Sequence, residues 1–353
     1  MLQYKLFLID GLYFELLDVW EDKEYTIRIL DGEKLIYEIN LRKGMWAKAT
    51  QKYMSDYYVE VWDGDELKER ISFIEHLKGK RVFISFESSS LGDGIAWIPY
   101  CLEFKNIYQC DVIVSTFHNF MYESVYPELE FVGRGVGVNN IISMLKIGWY
   151  YNSQMEPEYP PTIPLQQAAA NILHIPFKEI KPRIAFTPKE RPIEEKYITI
   201  ATQSTAQCKH WYYWQELIDH LVDRGYKVVE VSKATTHYQN LFHIEDKSLE
   251  NTMNIIHHSE VFIGLSSGLS WLAWTLNKNV VMISNFTEPN HEFECIRITN
   301  PNVCNSCWNN PKFKFNKGDW NWCPEHEDTD RQFECHKLIP PQQVIEALAP
   351  FVS

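Results

Sequence analysis

The chain has 353 residues, 45% of them hydrophobic and 23% charged, so it can build more than one globular core. Its formal net charge of -13 argues against a nucleic-acid binder, which needs a basic face. No stretch approaches the roughly 18 apolar residues of a membrane helix, and the opening MLQYKLFLIDGLYFELLDVW lacks a small-residue cleavage site, so neither a membrane span nor a signal peptide is expected.

Residues 1–78 read as short strands, at Tyr4-Leu6-Leu8, Phe14-Leu16, Thr26-Arg28-Leu30, Lys34-Ile36-Glu38 and Tyr57-Glu60-Trp62. Turns at Asp10-Gly11, Asp31-Gly32 and Asp63-Gly64 separate them, and Asp-Gly between alternating runs favours hairpins. The expectation is a small antiparallel β domain. At Lys78-Gly79-Lys80 the pattern changes. Arg81 to Phe86 is an apolar run suited to a buried parallel strand, and it leads through Ser88 to Gly94 into a helical pattern over 95–102. Asp111 to Ser115 is a further strand, and units of this kind reach about residue 150, within a first lobe of 79–190.

Eight prolines mark 151–192 as a connection, interrupted by a short helix over 165–173. A second α/β series occupies 191–353. Strands are predicted at 197–201, 227–231, 261–264 and 280–284, and helices at 214–224, 249–257, 269–276 and 341–349, with Gly225 ending the first of them. Two α/β halves imply a cleft with ligands at the carboxyl ends of the strands.

Three strand ends carry candidate chemistry. Asp93 lies between Gly92 and Gly94, in the turn after the 81–86 strand. It can act there as a general base on a hydroxyl or simply cap the next helix. Ser266-Ser267-Gly268-Leu269 joins a strand to a helix. Free N–H groups at such a start favour a phosphate or diphosphate, with a Ser-capped helix as the plainer role. Thr202-Gln203-Ser204, with Lys209 after them, follows the first strand of the second half and can hold a diphosphate or be an exposed loop. Glu230 ends the next strand, where a carboxylate can hold a ribose hydroxyl or face water. His118, His237, His257 and His258 show no metal spacing. Asp328-Thr329-Asp330 matches a metal–nucleotide string but sits away from the strand ends, so catalysis without a divalent ion is expected.

The remaining motif is Cys304, Cys307, Cys323 and Cys335, spaced C-x2-C-x15-C-x11-C within 300–338. Four thiolates at this spacing can close a tetrahedral shell around zinc or iron, with His326 and His336 as alternative ligands. The stretch between Cys307 and Cys323 has aromatic but no aliphatic residues, so a metal would supply its stability. Clustered cysteines without a signal peptide suit a reducing cytoplasm.

Taken together, the chain resembles the bacterial autotransporter heptosyltransferases, which glycosylate serines on adhesin passengers. The likeness rests on the N-terminal β-rich segment, SLGDGIAWIPY at 90–100, GLSSGLSWLAW at 264–274 and the four cysteines. It implies a GT-B fold of two Rossmann-like lobes and an ADP-heptose donor. It also implies Asp93 as the catalytic base of an inverting transfer, and a structural four-cysteine finger holding one ferric iron per chain. Its further implications are an autotransporter adhesin passenger as acceptor and a homo-oligomer, a dodecamer in the family. Two other readings are a transferase acting on lipopolysaccharide or another sugar, and a metal-finger scaffold without catalysis.

Overall fold

A computed structural model describes residues 2–234, 236–313 and 321–352. Seven residues between Cys307 and Cys323, 314–320, lie outside the described residues, so the expectation for that stretch extends only to its flanks. The chain divides into two compact units. One is Met1–Ser89 with Trp97–Ile180, the other Ser90–Ala96 with Lys181–Ser353.

In the first unit the strands run β1 (Gln3–Leu8), β2 (Leu12–Asp18), β3 (Tyr25–Asp31), β4 (Lys34–Leu41), β5 (Trp46–Lys48), β6 (Tyr57–Asp63) and β7 (Glu66–Ser72). Helix α1 (Phe73–Leu77) and β8 (Arg81–Phe86) follow. Next come α2 (Leu91–Tyr108), whose opening residues up to Ala96 belong to the second unit, then β9 (Asp111–Ser115), β10 (Glu130–Phe131), β11 (Ser143–Ile147) and α3 (Leu165–Ile172). Alternation sets the early strands: Leu12, Phe14 and Leu16 of β2 are buried while the residues between them are partly exposed. Strands β4-β3-β6-β7 make an antiparallel sheet. Its hairpins turn at Gly32 (φ +56°) and Gly64 (φ +57°), a backbone region that glycine enters without a Cβ clash.

Strands β1, β2 and β5 do not join that sheet. They extend the α/β sheet, whose order is β10-β9-β8-β11-β1-β2-β5, with β1 parallel to β11 and antiparallel to β2. Residues 1–78 are therefore shared between two sheets. The pairing of Leu8 with Ser143 spans a sequence distance that local alternation cannot report.

The second unit holds β12 (Tyr197–Ala201), α4 (Trp214–Asp223), β13 (Lys227–Glu230), β14 (Leu241–His243), α5 (Leu249–His258), β15 (Phe262–Leu265) and α6 (Gly268–Thr275). It continues through β16 (Val280–Ile283), β17 (Ile296–Ile298), α7 (Glu334–Lys337) and α8 (Pro341–Leu348). All of β12 is buried, as an interior parallel strand requires. Helix α4 buries Trp214, Leu217, Ile218 and Leu221, one face at helical spacing, and Gly225 follows at φ +81°. The sheet is wholly parallel, in the order β14-β13-β12-β15-β16-β17. Numbered within the unit, this is 3-2-1-4-5-6, the dinucleotide-binding order, and it reverses between β12 and β15. Ile339, Val344 and Leu348 return the end of the chain to the same core. No helix among the described residues is long and apolar enough to cross a membrane.

Candidate active site and cysteine centre

A crevice outside the carboxyl ends of β12 and β15 is where a sheet of this order binds a nucleotide. Both loops there are the ones expected from the sequence. The ammonium of Lys209, at the end of the β12 loop, donates to the backbone oxygen of Ser266 on the β15 loop at 3.0 Å, and it stands 5.2 Å from the ring centre of Phe286. Burial pulls the lysine below its ordinary pKa. Glu292, Cys208 and Asp93 pull it back up, and Arg297 lowers it further. Asp93 is thus an electrostatic neighbour of Lys209.

Asp93 is not in the turn before α2. It is the third residue of the helix, in its first turn, and nearly buried at 8% exposure. Gly92 lets this helix start abut the start of α6. A Cβ built on Gly92 would lie 3.2 Å from the Cα of Gly268, and one on Gly268 only 2.9 Å from the backbone N of Gly92. The small size of Gly268 therefore answers to a second helix start as well as to any anion. Two helix N-termini are thereby brought side by side.

Ser267 precedes α6 in an extended conformation, and its side chain does not cap the helix. Its buried hydroxyl has no hydrogen-bond partner, which fits a ligand acceptor at this position. Ser266 instead donates its hydroxyl to Glu292. Gln203 and Ser204 on the β12 loop and Leu269 in the first turn of α6 are partly buried, and Ser204 donates to the Ala206 oxygen at 2.8 Å. Thr202 donates its N–H (3.3 Å) and hydroxyl (2.8 Å) to Glu230, which also takes the Ser232 N–H (3.2 Å) and the Thr236 hydroxyl (3.3 Å). A carboxylate has about four acceptor positions, and protein donors fill them here. Glu230 braces the β12 loop, and a ribose contact would require the Thr202 or Thr236 hydroxyl to turn away.

Sequence reasoning missed the network beneath Ser266. Buried Glu292 accepts Arg297 at 2.6 Å and the Thr287 hydroxyl at 2.9 Å, and Arg297 also donates to the Thr287 oxygen at 2.9 Å. Burial alone would raise the Glu292 carboxyl. Arg297, His291 and the donated hydrogen bonds outweigh it and hold it below the ordinary range. The available signal was Arg297 inside the apolar run Ile296–Ile298, since a charge there needs a partner.

The cysteine segment packs on this site. Cys323 and Phe333 share a cluster with Ala206 and Cys208 of the β12 loop and with Phe286, against Trp308 and Trp322. No disulfide joins any of the eight cysteines. Cys323 and Cys335 are buried, Cys304 and Cys307 partly so. Burial pushes Cys304 up to about 11, with Glu334 and Cys323 adding to it. Burial pushes Cys307 up to about 12, with Cys304 and Cys323 adding to it, and Cys335 rises through burial and all three other thiols. The four thiols therefore influence one another electrostatically, and a cation among them would relieve both penalties. The Phe333 N–H donates to the Cys323 sulfur at 3.5 Å. The donor set fits a thiolate-bound metal.

The tightest group of potential ligands is nonetheless Cys304, His326 and Glu334, all within 4.8 Å. Glu334 is gripped by Arg331 at 2.7 and 2.6 Å and lies 3.4 Å from His326. His336 is fully buried with both ring nitrogens engaged, which removes it from the ligand set. Asp328 and Asp330 sit on an exposed turn, and His257 and His258 end α5 away from the site loops.

Comparison with known proteins agrees with this geometry. The sequence model of Glycosyltransferase family 9 (heptosyltransferase) matches residues 150–320. Autotransporter heptosyltransferase Aah of Escherichia coli is 34% identical over 343 residues, 91% of this chain and 87% of that one. Autotransporter heptosyltransferase TibC of Escherichia coli O78:H11 is 32% identical over 346 residues, 91% of this chain and 84% of that one. The crystal structure of TibC, described as an iron-containing dodecameric glycosyltransferase, matches with a TM-score of 0.86 at 30% identity, over 99% of this chain and 95% of that chain. A TibC structure in complex with ADP-D-beta-D-heptose gives 0.85 at 28% identity, with the same coverage. BimC of Burkholderia thailandensis, named an inactive autotransporter heptosyltransferase, is 28% identical over 92% of this chain and 81% of that one. On this sequence kinship, with a nucleotide-type sheet beneath it, the chain belongs to the autotransporter heptosyltransferases and is a glycosyltransferase of the heptosyltransferase kind.

Proposed function

We propose that the protein transfers heptose from ADP-heptose to serine hydroxyls of an autotransporter adhesin passenger, in the cytoplasm, by one inverting displacement within a GT-B architecture. Asp93 takes the proton from the serine Oγ as that oxygen bonds to the anomeric carbon. The bond from that carbon to the diphosphate oxygen breaks on the opposite face, and ADP leaves with the electron pair. Lys209, the Ser267 hydroxyl and the N–H groups at the start of α6 meet the charge that develops on the diphosphate. Donors fixed in advance need little reorganisation as that charge appears.

The observation that carries this reading is the meeting of the Asp93 turn with the start of α6, Gly92 against Gly268, beside Lys209. The two adjoining helix starts favour an anion, and the Asp93 carboxylate stands in the first turn of α2. The donor is further supported by TibC, whose structure holds ADP-D-beta-D-heptose.

The four cysteines hold iron in this proposal, one ferric ion per chain in a structural role, with zinc as the alternative. The metal supplies cross-linking to a segment with few aliphatic residues, and four thiolates leave no open position for substrate. A homo-oligomer of the dodecameric kind described for TibC is proposed as well.

The test is transfer itself. Purified enzyme, ADP-heptose and a passenger fragment should give a heptose mass shift on serine-containing peptides, and Asp93→Ala should keep the fold while losing about 10²–10⁴-fold in rate. Transfer at the wild-type rate by that variant would remove Asp93 from its role. Transfer to lipopolysaccharide acceptors alone would replace the passenger, and no transfer at all would place this chain beside relatives such as BimC.

A further inference from the structure

One buried side chain touches both the cysteine centre and the loop that carries the donor-site network. His336 has no exposed surface. Its Nε2 lies 3.3 Å from the backbone N of Asn285, and its Nδ1 lies 3.3 Å from the Cys335 sulfur. A backbone N–H can only donate. Nε2 must therefore be the acceptor and carries no proton. The ring proton sits on Nδ1 and points at sulfur. The opposite arrangement, a thiol donating to Nδ1, would set an Nε2–H against the Asn285 N–H.

Asn285 is itself fixed. Its amide donates to the Cys335 oxygen at 2.7 Å and to the Asn300 oxygen at 3.2 Å, and its side-chain oxygen takes the Asn300 N–H at 2.9 Å. Its backbone oxygen takes the Ser306 N–H at 2.6 Å. The next two residues enter the donor site. Phe286 lies beside the Lys209 ammonium, and Thr287 links Arg297 to Glu292, the carboxylate that accepts Ser266.

We infer that His336 is a positioning residue that ties the cysteine centre to the donor loops, donating Nδ1–H to the Cys335 sulfur while its Nε2 holds the backbone N–H of Asn285. The inference rests on Cys335 being a metal ligand. An N–H aimed at a ligating sulfur withdraws charge from it, which favours the reduced metal and raises the potential. The Asn285 bond holds the segment 285–287 in the place where it supports Lys209 and Ser266.

The two ring nitrogens can be separated by substitution. Asn places an amide N–H near the Nδ1 position and offers nothing at Nε2. Gln places an oxygen near the Nε2 position and offers nothing at Nδ1. In the full-length iron-loaded enzyme, His336→Gln should lower the iron reduction potential and shift the sulfur-to-iron absorption band, with ADP affinity within about twofold of wild type. His336→Asn should keep the potential and band and weaken ADP several-fold. A Gln variant with unchanged potential and band, or an Asn variant with unchanged ADP affinity, overturns the inference. Should neither variant fold, the ring nitrogen shifts of 15N-labelled His336 in the zinc-substituted wild-type enzyme decide it, because a proton on Nε2 overturns the inference and a proton on Nδ1 supports it. Metal content of Cys335→Ser separates the two levels. A full equivalent of metal retained there refutes the ligand reading, whatever the His336 variants do.

Discussion

Lys209 is held by opposing forces. Burial makes its ammonium easier to deprotonate than an ordinary lysine, and Glu292, Cys208 and Asp93 partly offset that. A diphosphate placed beside it adds negative charge and moves its pKa upward. The sign follows. As pH rises through the depressed value, the free protein loses this proton while the ADP complex keeps it. Binding in that window takes up a proton, and affinity falls as pH rises. Calorimetry of ADP binding in buffers of different ionisation enthalpy should show the uptake, and Lys209→Met should lose it along with most of the affinity. ADP's own protons appear equally in both proteins, so equal proton counts would exclude Lys209 from the diphosphate site.

At the scale of elements, the contact between the starts of α2 and α6 depends on two missing Cβ atoms. Gly268→Ala must push the helix starts apart, because its nearest atom is backbone that cannot rotate away, whereas a Cβ at Gly92 stands 3.2 Å from the Gly268 Cα and needs a smaller adjustment. Overpacking of this kind costs about 1–3 kcal/mol. Gly268→Ala, the tighter of the two, should lower the urea midpoint and reduce turnover more than tenfold. Wild-type values in both measurements would show that the contact is not needed.

This contact also marks what could be read from the sequence. Strand β12 and helices α4 and α5 were legible because burial writes itself into local spacing, a continuous apolar run or one face at helical period. The placing of Ser267 and Lys209 followed from the strand ends. Asp93 was singled out by its neighbours Gly92 and Gly94, but its place inside α2 was not legible, since two glycines around it favour a turn over a helix in local spacing. The Glu292–Arg297 pair left only one charge in an apolar run. Strands β14 and β17 have three residues each and no period to detect. The addition of β1 to the sheet of β8 and β11 is a long-range pairing, which no window of sequence contains.

At the scale of the whole chain, the two units differ in what closes them. The first is built on its own two sheets. In the second, the path from Ile298 at the end of β17 to Ile339 before α8 is an excursion that leaves the core and returns to it. Closing a loop of that length costs entropy that its few buried residues offset poorly. Within it, Cys323 and Phe333 pack against the β12 loop, and the Trp211 indole and Tyr213 hydroxyl donate to the Ile339 and Lys337 oxygens, both at 2.8 Å. A metal among the cysteines shortens the excursion into small loops and removes the cost of burying neutral thiols that would otherwise crowd one another. Its loss should therefore act on one unit and spare the other. Scanning calorimetry of enzyme stripped by a strong chelator under reducing conditions should show the transition of the second unit moved to lower temperature and that of the first unchanged, with ADP binding lost alongside. Each transition can be assigned by limited proteolysis at intermediate temperature, with mass spectrometry of the surviving fragment. Stripped protein whose two transitions keep their places would mean that the thiols hold nothing the second unit needs.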